Sequence, residues 1–121
     1  MSHPELAPID YAALRAQVPM SQVLELLGFR PLRGRSPQLR GHCPLRNCLP
    51  VFPPKFSVNL QRHLYHCFAC GSGGNQLDLW AAVHQLSLPK AAVHLCRVTG
   101  MPVPRRFTAT QAQQSTRPAT D

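Results

Sequence analysis

The stretch Cys67-Phe68-Ala69-Cys70-Gly71 limits what this chain can fold into more than any other feature. Two cysteines two residues apart place both thiolates on one metal ion at about 2.3 Å, and a following glycine permits the tight turn this needs. A tetrahedral ion takes two further ligands. Cys43-Pro44-Leu45-Arg46-Asn47-Cys48 offers a second pair as C-x4-C, at the wide end of known spacings. Cys43 is the expected third ligand. For the fourth, Cys48 competes with His42 and His66, each next to a cysteine ligand and therefore awkward to bring onto the same ion. His84 and His94 fall on predicted helices as surface or core-edge residues, and the solitary Cys96 reads as packing.

Metal binding is preferred over disulfides because the expected compartment is reducing. The chain has no apolar run of ~18 residues for a membrane span, and its first residues, with Pro4, Glu5 and Asp10, lack the basic and apolar segments of a signal peptide. A cytoplasmic protein is expected, in which closely spaced cysteines serve as ligands. At 121 residues, one compact domain with tails is expected to bury only about two-thirds of its unfolded surface, so a single structural Zn2+ would contribute stability it needs. A catalytic zinc keeps an open position beside an acid or base, and a deaminase site adds His-x-Glu before its cysteines. No carboxylate lies near these cysteines in sequence, so no catalytic residue is assigned.

Charge points to the partner. The 13 Lys+Arg exceed the 5 Asp+Glu to give +8, and no acid occurs between Glu25 and Asp78. Such a field is expected to attract a polyanion, because Lys and Arg neutralise phosphates and release counterions. Arg40, Lys55, Arg62 and His63 are candidates for phosphate contact because they fall on predicted strands or turns, and Arg33 and Arg35 join them from a basic arm. Phe56 and Tyr65 could stack on bases, although strand aromatics more often fill a core, and Trp80 is expected inside.

Periodicity yields the elements. Asp10 caps a helix running to Gln17, and Ser21 starts another over 21–27, ended by Gly28. Residues 29–41, with Pro31, Gly34 and Pro37, read as an arm or loop entering a strand near 39–42. Phe56, Val58 and Leu60 alternate with polar residues, and with 64–68 they predict a hairpin delivering Cys67. Asn75 and Asp78 resemble a capping pair before a helix showing Leu77, Trp80, Val83 and Leu86. Ser87 and Pro89 open a last helix with Leu88, Ala92, Leu95 and Cys96 inward, closed by Gly100. The resulting division is an N-terminal helix or arm over 1–17, a domain over 18–102 and a disordered tail over 103–121.

Cys43-Pro44, Phe56-Ser57-Val58, the run from Tyr65-His66-Cys67 to Cys70-Gly71, Gly73-Gly74-Asn75 and Leu86-Ser87-Leu88-Pro89-Lys90-Ala91-Ala92 occur here in one order. Over roughly 18–100 this series resembles the CHC-type zinc-binding domain of bacterial DNA primases. The resemblance implies an α+β fold, a small zinc-ribbon antiparallel sheet with flanking helices that presents a basic, partly aromatic face to single-stranded DNA and recognises where priming starts. It places Cys43, Cys67 and Cys70 on family ligands, with Arg46 where the family has histidine and Cys48 two places further as the simplest substitute. The family's catalytic domain, with its acidic magnesium site, has no counterpart in a chain with 5 acids. The implied protein is a monomeric, non-catalytic module acting with a helicase or a separate catalytic subunit. The alternative is a zinc-ribbon adaptor whose apolar C-terminal helices dock a protein partner, since fold alone does not choose between them.

Overall fold

Asp10 opens the first helix by accepting a hydrogen bond from the backbone N–H of Ala13 at 3.1 Å. In the computed structural model, which describes residues 8–49 and 52–106, this helix is α1 (Tyr11–Gln17) and is followed directly by α2 (Met20–Leu26). Helix α2 starts one residue before the expected Ser21, with Pro19 as its N-cap. Proline has no side chain that can accept from the helix's first N–H groups. The imidazole Nδ1 of His63 does so instead, accepting from the N–H of Met20 at 3.0 Å.

Five strands follow the order β1 (Arg33–Arg35), β2 (Gln38–Gly41), β3 (Phe56–Asn59), β4 (Leu64–Cys67) and β5 (Gly73–Asn75), each antiparallel to its neighbour. Strand β1 lies where the sequence predicts an arm or loop, and β5 where no strand is predicted. β1 is a fully exposed, doubly charged edge strand, and β5 consists of two glycines and an asparagine, so neither carries the alternation by which strands are recognised.

Register sorts the residues onto two faces. Leu39, Val58, Tyr65 and Gly74 share one row, and Gly41, Phe56 and Cys67 share the next. These rows face the core, where Phe56, Val58, Tyr65 and Cys67 are buried. The alternate rows face outward: Arg33, Arg40, Ser57, His66 and Gly73 in one, and Arg35, Gln38, Asn59, Leu64 and Asn75 in the other.

Helices α3 (Gln76–His84) and α4 (Leu88–Thr99) complete the core. The predicted Asn75–Asp78 capping box is formed in full, closing α3 at its start. Gln85 ends α3 in a left-handed conformation, so Leu86 lies beyond it. Leu79, not among the expected inward residues, is fully buried beside Leu77 and Trp80. In α4, Leu88 is 42% exposed and Ala91 is buried in its place, with Ala92, Leu95 and Cys96 inward as expected. The first helical residue has no preceding turn over it, which leaves Leu88 at the rim.

Residues 8–10 meet residues 104–106. Ile9 bridges Arg105, Asp10 N–H donates to the Pro104 carbonyl at 2.9 Å, and Arg106 N–H donates to that of Pro8 at 2.7 Å. Residues 103–106, assigned above to a tail, thus pack back on the domain, with Val103 against the core. Leu14 of α1 is likewise a core residue, so the expected boundaries at 17 and 103 do not separate packed units. The remainder of the expected tail, 107–121, lies outside the described residues.

Candidate metal centre and nucleic-acid interface

The C-x2-C segment folds as a closed knuckle at the end of β4. Gly71 N–H returns to the Cys67 carbonyl at 2.8 Å, and Cys67 N–H donates to the Ser72 carbonyl at 2.8 Å. Gly71 has φ +82°, a conformation that side-chain-bearing residues rarely adopt. The C-x4-C segment also turns tightly, with Cys48 N–H on the Leu45 carbonyl at 3.2 Å. Arg46 sits in this turn, exposed, and the turn carries Cys48 round toward the first knuckle.

The result is one cluster. The Sγ atoms of Cys43, Cys48, Cys67 and Cys70 all lie within 4.8 Å of one another. The Cys43–Cys70 pair is 4.0 Å apart and the Cys48–Cys67 pair 3.6 Å. Four thiolates at about 2.3 Å from a tetrahedral zinc would be separated by about 3.8 Å, so the donor set fits that ion. His42 and His66 are outside the cluster. The alternation of β4 explains this for His66: with Cys67 buried, its neighbour points to the opposite face.

The thiols differ in their electrostatics. Burial pushes the Cys43 thiol well above its ordinary range, against the lowering effect of the Leu45 N–H. Burial and then the Cys67 thiol push Cys48 up to about 11. Burial also acts on Cys67, but the N–H groups of Cys70 and Ala69 and the neighbouring thiols outweigh it, and its pKa is lowered. Cys67 therefore ionises more readily than Cys43 or Cys48, and a bound cation would supply charge that favours thiolates at those two. Four protein ligands leave no position for a substrate water, so the bound ion would be structural.

The basic candidates separate into two places. Arg33, Arg35 and Arg40 lie on outward rows of the sheet. Lys55 is exposed just before β3, its carbonyl accepting from Phe68 N–H at 3.0 Å. Arg62 and His63 lie at the β3–β4 turn, at the other end of the strand pair from the knuckle. His63 is half-buried, and its Nδ1 accepts from the Met20 N–H, which gives it a structural task. Phe56 and Tyr65 are core residues stacked on each other at 5.6 Å between centroids, and Trp80 is buried as expected.

Among the described residues, two other aromatics are exposed. Phe68, inside the knuckle, is 62% exposed, and Phe52 is 82% exposed. The Arg40 guanidinium lies 5.7 Å from the Phe68 ring centroid and that of Arg33 lies 5.9 Å from Phe52. The His66 ring meets Phe68 edge-on at 4.4 Å. The signal for Phe68 was present in sequence: with Tyr65 and Cys67 inward, alternation sends His66 and Phe68 out.

A family model described as CHC2 zinc finger matches residues 9–111. The chain belongs to that family. Among CHC2 relatives, the DNA primase of Pseudomonas putida KT2440 is 42% identical over 52 residues, covering 43% of this chain and 8% of that protein. The DNA primase of Buchnera aphidicola subsp. Baizongia pistaciae is 24% identical over 102 residues, covering 84% of this chain and 17% of that one. That of Escherichia coli K12 is 27% identical over 85 residues, covering 69% and 14%. This CHC2 chain therefore spans at most 17% of the length of these relatives. The crystal structure of the Aquifex aeolicus primase, comprising zinc-binding and RNA polymerase domains, shares the fold. It matches with a TM-score of 0.62 and 22% identity, over 86% of this chain and 24% of that one. The CHC2 finger here is thus an α+β primase-type zinc-binding domain, with Cys43, Cys48, Cys67 and Cys70 as the residues that would hold its one structural zinc.

Proposed function

We propose that the outward face of the sheet binds single-stranded DNA and that the chain is a non-catalytic recognition module in the priming of DNA replication. The observation that carries this reading is the pairing of Arg33 with Phe52 and of Arg40 with Phe68 on exposed surface. Single strands are held by cations that follow the backbone and by aromatic rings on which bases stack. Gln38 donates to Ser57 Oγ at 2.6 Å and accepts from Asn59 at 3.3 Å, so hydrogen-bonded polar side chains occupy the part of that face between β2 and β3. Zinc serves indirectly, fixing the knuckle that carries Phe68.

Polymerisation would be supplied by a separate catalytic subunit, and unwound template by a helicase. The setting is the cytoplasm, and among the described residues no helix is long and apolar enough to cross a membrane. Titrating a labelled oligo-dT with the zinc-loaded chain at several salt concentrations tests the reading. Affinity should fall with a log-log slope of about −0.7 per phosphate contacted. Absence of binding even at low salt would overturn it.

A further inference from the structure

A second cationic surface lies in the helical layer and shares no residue with the outward face of the sheet. It is an open groove of about 470 Å³ along α4. Ile9, Leu86, Pro89 and Val93 supply an aliphatic lining. Lys90 and Arg97, both exposed, and Arg105 add positive charge, and among the described residues no acid lines the groove. One wall exists because two segments far apart in sequence pair: the Ile9–Arg105 bridge brings both residues against α4.

His94 contributes a directed polar group. Its Nδ1 accepts from the Trp80 indole N–H at 2.9 Å, so in the neutral imidazole the proton is on Nε2 and that atom is a donor. Among the described residues, the groove thus combines aliphatic lining, cations and an imidazole, without a phenylalanine, tyrosine or tryptophan.

We infer that this groove docks an acidic peptide segment of a partner protein, anchored by an aliphatic or aromatic side chain with its carboxylates toward Lys90 and Arg97. Charge complementarity selects an acidic occupant. The lining selects peptide over nucleic acid: bases gain their affinity by stacking on aromatic rings, which the outward sheet face offers and this groove does not. The two surfaces are separate, so one chain can hold DNA and the partner together. This assigns the adaptor role to a defined site that coexists with the proposed DNA-binding face.

The test uses the zinc-loaded full chain, isotopically labelled, and three synthetic probes: an Asp/Glu-rich nonapeptide with a central Phe, its Asn/Gln counterpart, and oligo-dT. The acidic peptide should shift amide resonances of Leu86, Lys90, Val93, His94 and Arg97. Lys90→Glu with Arg97→Glu should weaken its binding by about tenfold while leaving oligo-dT binding unchanged. The neutral peptide should bind at least about tenfold more weakly than the acidic one. No shift by the acidic peptide at about 1 mM overturns the inference, as does an equal response to the neutral one. Shifts of the same residues by oligo-dT would assign the groove to nucleic acid and likewise overturn it. Loss of oligo-dT binding to the sheet would contradict the proposed function alone, leaving the groove's own result to stand.

Discussion

The guanidinium carbon of Arg40 lies 5.7 Å from the ring centroid of Phe68, which couples the basic sheet to the metal knuckle. Arg40 is fixed by β2 and Phe68 by the turn between Cys67 and Cys70. A cation over an aromatic face contributes roughly 0.5–1 kcal/mol at an exposed site, enough to orient both groups without burying either. Phe68→Ala should weaken oligo-dT binding by about tenfold, the equivalent of one lost stack of roughly 1 to 3 kcal/mol. Its salt slope should not change. Arg40→Ala should weaken binding and also make the slope shallower by about 0.7, because a phosphate contact is lost. Fluorescence anisotropy at four or five salt concentrations separates the two effects.

Metal removal should abolish the same binding. The cysteine cluster sits at the end of β4 and ties it to the segment after β2, so chelation would release Phe68 from its place beneath Arg40. Cys48→Ser should lose tightly held zinc, read by elemental analysis after dialysis against a chelator. Cys96→Ser should keep full zinc, since Cys96 is buried in α4 away from the cluster. It should instead lower the denaturation midpoint, because it places a hydroxyl in an apolar site.

Much of this centre was legible because ligand spacing is a local property. Cys67 and Cys70 follow from C-x2-C alone. Cys48 follows from the family pattern once Arg46 stands in the histidine's place, and the turn closed by Cys48 N–H on Leu45 shows how the longer spacing is accommodated. The capping box at Asn75 and Asp78 was equally local. What sequence did not reveal depends on distant partners. Strand β1 exists because Arg33 and Arg35 pair across a turn with Arg40 and Gln38, while its own residues read as a basic loop. His63 stands in a basic turn and so reads as a phosphate ligand, yet the N–H that engages it is 43 positions away. The groove on α4 required the pairing of Ile9 with Arg105, which the expected domain boundaries had set apart.

His63→Ala should therefore act on stability. Losing the acceptor that caps α2 should cost about 1 kcal/mol, the usual effect of removing an N-cap partner. Urea denaturation measures the cost. The salt slope for oligo-dT should match that of the unaltered chain, in contrast to Arg40→Ala.

Acid should destabilise the fold partly through His84. Burial, then the nearby His94, then Arg46 lower its pKa, and its Nε2 is buried with no hydrogen-bond partner among the described residues. A group with a depressed folded pKa binds more protons in the unfolded chain, so stability rises with pH across the interval. His84's contribution is complete above the unfolded value of about 6.5 and is lost as pH falls through the folded one. Comparing His84→Gln with the unaltered chain at several pH values between about 5 and 7.5 isolates it, because loss of zinc in acid affects both alike. The difference in denaturation midpoint between the two proteins should change with pH; a constant difference would exclude His84 as a source of acid sensitivity.

The central claim is that DNA lies on the outward face of the sheet, and mapping amide resonances of the zinc-loaded chain during titration with oligo-dT tests it most directly. The account predicts shifts at Arg33, Arg35, Arg40, Ser57, His66 and Phe68, with α4 silent. Shifts confined to α3 and α4, or saturable binding that leaves β1, β2 and the knuckle unmoved, would contradict it.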